Sequence, residues 1–173
     1  MTHVVFVRSP HAHARILSVD ARAATALPGV VAVVTGEELA RVCEGWVGTL
    51  AHFQGMKSAK EHALAVGKAS WQGEPVVAVV AESRAIAEDA AARVAIDWQP
   101  LPAVTDPETA LDPSTPVIHP ELGDNLAFAL ELSAGDVARA FGDAEAVFSD
   151  TFHMGRHTGV TLEPRVILAD FDP

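Results

Sequence analysis

The sequence predicts an α+β fold with a mixed sheet, and three observations carry that expectation. Apolar runs of strand composition, VVFV at 4–7, VVAVV at 30–34 and PVVAVVAE at 75–82, are bounded by turn residues. Between and after them come helical patterns near 21–27, 37–43 and 83–94. Six of the eleven prolines then fall between Pro100 and Gly123, a density that blocks long helices and central strands. Beyond that stretch a second, strand-rich piece begins.

Taken in order, VVFV is followed by ARILSV at 14–19, whose rough alternation sets Ile16 opposite Leu17. Asp20 stands as the N-cap of ARAATAL, which Leu27-Pro28-Gly29 terminates. The continuous apolar run at 30–34 is of buried-strand type. Thr35 and Glu38 have capping-box spacing ahead of Leu39, Val42 and Cys43. Residues 44–70 hold no sustained period, and so long an excursion is either functional or part of a larger assembly. In the helix at 83–94, Ile86, Ala90 and Val94 form one stripe, with Arg84–Glu88 and Asp89–Arg93 as outer charge pairs. Together with AIDWQPL this makes a strand–helix–strand unit whose crossover should be right-handed. After the prolines, NLAFALEL, a short helix DVARAF closed by Gly142, AVFSDTFHM and RVILADFD read as strand, helix, strand, strand.

Composition bounds the function. The chain has 173 residues, enough for one domain with a real core or a domain plus an appendage. Hydrophobic residues make up 49% and charged residues 20%, slightly apolar for a free-standing surface, which suggests an interface. A formal net charge of −11 argues against nucleic-acid binding, which needs Lys and Arg gathered to displace counterions. Cys43 is the one cysteine, so there is neither a disulfide framework nor a thiolate cluster for zinc or iron–sulfur. No basic segment precedes an apolar core at the N-terminus, and no apolar run approaches the length of a membrane span. The expected location is cytoplasmic, without membrane or nucleic-acid partners.

RSPHAHARI at 8–16 carries two histidines at i and i+2. On a strand these would point to one face, so His11 and His13 would supply half a metal site and need His153 and His157 from elsewhere. His153 and His157 are i, i+4 apart, a helical spacing, in a context that reads strand then turn. The spacing therefore favours structural or interface histidines. GKAS at 67–70 lacks the upstream glycine and following helix of a phosphate-cradling loop. WQGEP at 71–75 reads as a tight turn around Gly73 with Glu74 at the edge. Glu82, Glu88 and Asp89 are acidic candidates, the last two on a solvated helix face. In LEPR, Glu163 and Arg165 suit a bidentate structural pair or a ligand clamp, and the pair is favoured. There is no nucleophile elbow.

Several stretches resemble one family in the right order: VRSPHAHARILSVDARAATALPGVVAVVTGEEL, WQGEPVVAVVAESRAIAEDAAARVAIDWQPLPAVTDPETAL, GDVARAFGDAEAVF and FHMGRHTGVTLEPRVILADFD. Together they are similar to the molybdenum-binding large subunit of the xanthine dehydrogenase/aldehyde oxidase family, a pattern shared with carbon monoxide dehydrogenase large chains. Residues 44–68 match loosely. The resemblance implies an α/β hammerhead domain over 1–105, a Pro-rich connector at 106–124, and the opening segment of a molybdopterin-binding domain over 125–173.

The resemblance also implies that the segments carrying the chemistry lie beyond Pro173 and that the chain starts late. It places His11 and His13 in the hammerhead framework and gives Glu163 and Arg165 no catalytic role. No catalytic, cofactor-binding or metal-ligating residue is assigned to this chain. The complete enzyme would hydroxylate an aldehyde, a heterocycle or a similar substrate at a molybdenum centre, with molybdopterin, iron–sulfur clusters and FAD. This chain would supply scaffold and contacts to the rest of the molybdenum subunit and to iron–sulfur and flavin subunits. A stand-alone non-catalytic assembly module is the alternative, and a small metal enzyme built on His11 and His13 ranks below both. Apolar faces at 125–132 and 165–171 would favour self-association of the isolated chain.

Overall fold

The computed structural model describes residues 1–50, 52–155, 159, 162–163 and 166–171. The chain divides into two units, Met1–Glu131 and Leu132–Pro173. Within the first, strand β7 (Pro75–Ala81) is the centre of a three-stranded sheet, flanked by β1 (His3–Arg8) and β3 (Val30–Thr35). Val76, Val77, Val79 and Ala81 of β7 are essentially inaccessible. A strand covered on both edges and both faces tolerates an unbroken apolar run, which is what PVVAVVA supplies. VVAVV has the same composition but a different place: β3 is an edge strand, and Val31 projects outward with 59% exposure. An apolar run reports strand propensity and does not distinguish a central from an edge position.

A second sheet has the order β6-β2-β8, with β2 at Ala14–Asp20, β6 at Lys68–Ala69 and β8 at Ala95–Pro100. A third, two-stranded sheet pairs β4 (Trp46–Val47) with β5 (Lys60–Glu61). The main core gathers Ala24, Ala65, Val76, Val77, Val79 and Ala90, joined by partly buried Ile16, Val19, Ile96 and Trp98 from the second sheet. Every described ladder is antiparallel. The α+β class therefore stands, while the parallel component of a mixed sheet is absent among the described residues. The right-handed crossover is corrected for the same reason: β7 and β8 lie in different sheets, so the helix between them joins sheets instead of crossing within one. Periodicity identifies a strand but says nothing of the edge it joins.

The helices are shorter than their sequence patterns. Helix α1 covers Arg22–Thr25, with Ala21 as N-cap. Asp20 belongs to β2 instead, accepting the Arg22 backbone N–H at 3.0 Å while the Arg22 guanidinium donates to both carboxylate oxygens. Gly29 closes the segment at φ +83°, a left-handed conformation that favours glycine. Helix α2 is a single turn, Gly36–Leu39, held by the expected capping box: the Thr35 hydroxyl accepts from the Glu38 N–H and the Glu38 carboxylate accepts from the Thr35 N–H. It does not continue to residue 43, because Val42 and Cys43 find solvent and not a core to face. Helix α3 (Arg84–Ala91) starts at the Ser83 N-cap and buries Ala87 and Ala90 on β1 and β7. Its Arg84–Glu88 pair forms at 2.7 Å. The Asp89–Arg93 pair does not, since Arg93 lies past the C-cap Ala92 and off the helical spacing.

In the second unit the expected short helix forms as α4 (Val137–Gly142), with Asp136 as its N-cap and Gly142 as its last residue instead of its stop. The strands expected in NLAFALEL, AVFSDTFHM and RVILADFD are absent among the described residues. A strand exists only as a ladder member, and these segments find no ladder partner there. Their composition is visible instead as exposed apolar side chains, with Phe148 and Ile167 each 92% exposed.

Candidate functional site

His11 and His13 are not on a strand. They sit in the bend that precedes β2, and their rings go to different partners. His11 is half-buried, its ring edge packed on Trp98 of β8 with centroids 5.5 Å apart. His13 is buried, and its Nδ1 lies 2.7 Å from the Pro102 carbonyl. A carbonyl only accepts, so Nδ1 is the donor, and Nε2 is buried without a hydrogen-bond partner. The backbone repeats the link, with the Leu101 N–H donating to the His13 carbonyl at 2.9 Å. This histidine ties the bend to the start of the proline-rich stretch.

The WQGEP turn lies next to the same bend. Gly73, at φ +92°, donates its N–H to the Ser9 carbonyl at 2.8 Å, and Arg8 Nη1 donates to the Gly73 carbonyl at 2.9 Å. The tight-turn expectation therefore holds, but Glu74 is not at its edge. It is half-buried and accepts the Ser70 N–H at 2.6 Å. Burial pushes its carboxyl above the usual range; the Ser70 and Trp71 amides and His119 oppose that shift, and Glu61 reinforces it.

Glu74 lines a groove of about 890 Å³ formed by the 44–70 excursion, the turn and the proline-rich stretch. Trp46, Trp71 and Ile118 contribute apolar surface to it, and Lys57, Lys68 and His119 contribute charge or hydrogen-bonding groups. The far wall is folded by Asn125. Its side-chain oxygen accepts the Ile118 N–H at 3.0 Å, and its amide donates to the Ala110 and Pro116 carbonyls, both at 2.9 Å. Lys57 Nζ bonds the Asp124 carboxylate and the Leu122 carbonyl, Lys68 Nζ bonds the Ile118 carbonyl, and the Lys57 N–H donates to the Ala127 carbonyl at 2.7 Å. The rings of Phe53 and Phe128 stack at 4.6 Å. Lys68, in the GKAS stretch that lacks the features of a phosphate loop, serves a backbone carbonyl. Nothing in the sequence marked these roles of Lys57, Lys68 and Asn125, because each acts on partners at least seven residues away.

The remaining candidates are scattered. Glu88 is taken by Arg84, and Glu82 and Asp89 are exposed. Glu163 and His153 are exposed residues of the second unit, while Arg165 and His157 lie outside the described residues. Cys43 is an exposed free thiol. Among the described residues no three His, Cys, Asp or Glu side chains come together to hold a metal ion. No helix among them is long and apolar enough to cross a membrane.

The first unit is thus an α+β scaffold of three antiparallel sheets with a clasped proline-rich strap, in which His13, Lys57, Lys68 and Asn125 hold backbone carbonyls. Residues 1–102 match the a/b hammerhead domain of aldehyde oxidase and xanthine dehydrogenase, and residues 118–173 match a molybdopterin cofactor-binding domain. The chain belongs to the aldehyde oxidase and xanthine dehydrogenase family, and the hammerhead fold expected from the sequence is present.

Among its relatives, the gamma subunit of the 6-hydroxypseudooxynicotine dehydrogenase complex of Paenarthrobacter nicotinovorans is 39% identical, over 99% of this chain and 22% of the relative. The carbon monoxide dehydrogenase large chain of Afipia carboxidovorans is 34% identical, over 96% of this chain and 22% of that one. The crystal structure of quinoline 2-oxidoreductase from Pseudomonas putida 86 superimposes with a TM-score of 0.77 at 38% identity, covering 84% of this chain and 18% of that chain. The chain therefore spans about a fifth of the length of these relatives. Subunits of multi-subunit enzymes are among them, and molybdopterin belongs to the full-length family members. Every described residue of 132–173 is exposed, so these residues build no enclosed donor set for a pterin or a metal, and no residue is assigned to hold either.

Proposed function

We propose that this chain serves as the scaffold and subunit-contact portion of a molybdenum hydroxylase large subunit and is not catalytically competent alone. The observation that carries this reading is the order of the matches: a hammerhead domain at 1–102 followed by a cofactor-domain match at 118–173, over about a fifth of the relatives' length. In this reading residues 1–105 are the hammerhead domain, 106–124 the connector and 125–173 part of the molybdopterin-binding region. The whole enzyme is an oxidoreductase whose molybdopterin works with iron–sulfur clusters and FAD on partner subunits. His11 and His13 belong to the framework, as their packing on Trp98 and bonding to Pro102 support. A cytoplasmic location goes with it, supported by a single cysteine with an exposed free thiol.

The test is to purify the tagged chain from its native host and to quantify molybdenum and co-purifying polypeptides. The expected result is molybdenum in stoichiometric amount together with the polypeptides that complete the enzyme. A chain that comes out alone and metal-free would sink the hydroxylase reading and leave the assembly module. Exposed apolar side chains in the second unit, Phe148, Ile167 and Phe171 among them, support that module's self-association.

A further inference from the structure

The 44–70 excursion has no regular core of its own, yet it holds a specific part of the chain. The match to the cofactor-binding domain begins at residue 118, and Lys68 Nζ bonds the carbonyl of that same residue. Lys57 takes the Leu122 carbonyl at 3.2 Å and the Asp124 carboxylate, and its N–H takes the Ala127 carbonyl. Residues 118–127 therefore open one family domain in sequence while lying inside the compact unit Met1–Glu131, most of which matches the other.

We infer that the excursion is a dock for residues 118–127, with Lys57 and Lys68 as its two positioning residues, so that the hammerhead sets where the cofactor-binding region starts. The inference rests on the domain reading above. Its chemistry is local: ammonium groups are the donors best suited to take several carbonyls from a strap whose prolines deny it a strand ladder. Asn125 makes the strap a preformed object by bonding Ile118, Ala110 and Pro116 at once. The excursion's own end is fixed to the core sheet by the Ala65 N–H donating to the Pro75 carbonyl at 2.7 Å, which anchors the dock to β7.

The experiment is residue-resolved amide hydrogen exchange on the full chain and on Lys57→Met and Lys68→Met. It needs no molybdenum, so a negative result would leave the family reading standing. Three amides report on the strap: Ile118, bonded to Asn125, Leu126, bonded to Asp124, and residue 57, bonded to Ala127. Lys68→Met should speed exchange at Ile118, and Lys57→Met at Leu126 and residue 57, each by about tenfold for the loss of a charged hydrogen bond. Val77 and Val79 in β7 should keep their protection in both variants. Unchanged exchange at all three strap amides would overturn the inference, and so would an equal acceleration in β7, which would mean the lysines merely support the whole fold.

Discussion

Glu74 is the residue at which burial and charge are most at odds. It is half-buried in the groove, where desolvation raises its carboxyl above the ordinary value of 4.5. A raised folded-state value means that the neutral carboxyl is the form the fold favours. Its contribution to stability is fully present below the unfolded value and is lost as pH rises through the folded one. Glu74→Gln keeps an oxygen for the Ser70 and Trp71 amides and removes the titration. Urea denaturation at pH 4 and pH 7 should therefore show the variant gaining on the parent chain as pH rises; a constant difference would refute the shift. Asp20 runs the other way: the exposed Arg22 guanidinium, hydrogen-bonded to it, holds its carboxyl at about 2. His13 shows how far residue-level reading reached. Its spacing from His11 was visible and pointed to framework, but its donor bond to Pro102 joins positions 89 apart in sequence, which no local pattern encodes.

At the scale of elements, α2 is the most informative because it is only one turn long. The capping box was legible at Thr35 and Glu38, since a cap is a contact across three residues. Glycine at its first position has a different cause. A Cβ on Gly36 would stand 2.0 Å from the Ala65 carbonyl oxygen, so the turn packs directly against the backbone of the 44–70 excursion. Thr35→Ala should destabilise the chain by about 1 kcal/mol through the lost cap. Gly36→Ala should cost more, about 3 kcal/mol, because the clash is with backbone and not with a movable side chain. Thermal or urea unfolding orders the two, and a Gly36→Ala chain as stable as Thr35→Ala would remove the close approach from the account. The strands follow the same division: β1, β2, β3, β7 and β8 were readable from composition, and the assignment of β7 and β8 to different sheets was not.

For the whole molecule, the question is where the apolar surplus goes. The first unit has a continuous core, whereas the described residues of the second are all exposed and include a run from Val166 to Leu168. The proposed self-association predicts that the isolated chain scatters light as a dimer or larger species at high concentration, against a net charge of −11 that favours separation. The double variant Ile167→Glu and Phe171→Glu should shift it toward monomer while leaving the unfolding of the first unit unchanged. A parent chain that remains monomeric throughout would contradict the proposal.

The strands of the first unit's two three-stranded sheets other than β6, the capping box at Thr35 and Glu38, the turn at Gly73 and the proline-rich break were settled along the chain, because each depends on neighbours within a few residues. The pairing of β8 with β2, the edge position of β3, the groove around Glu74 and the hold of Lys57 and Lys68 on residues 118–127 came only with the folded chain. Each of these joins groups far apart in sequence through backbone carbonyls and amides, and those groups are alike at almost every residue until folding brings particular ones into reach.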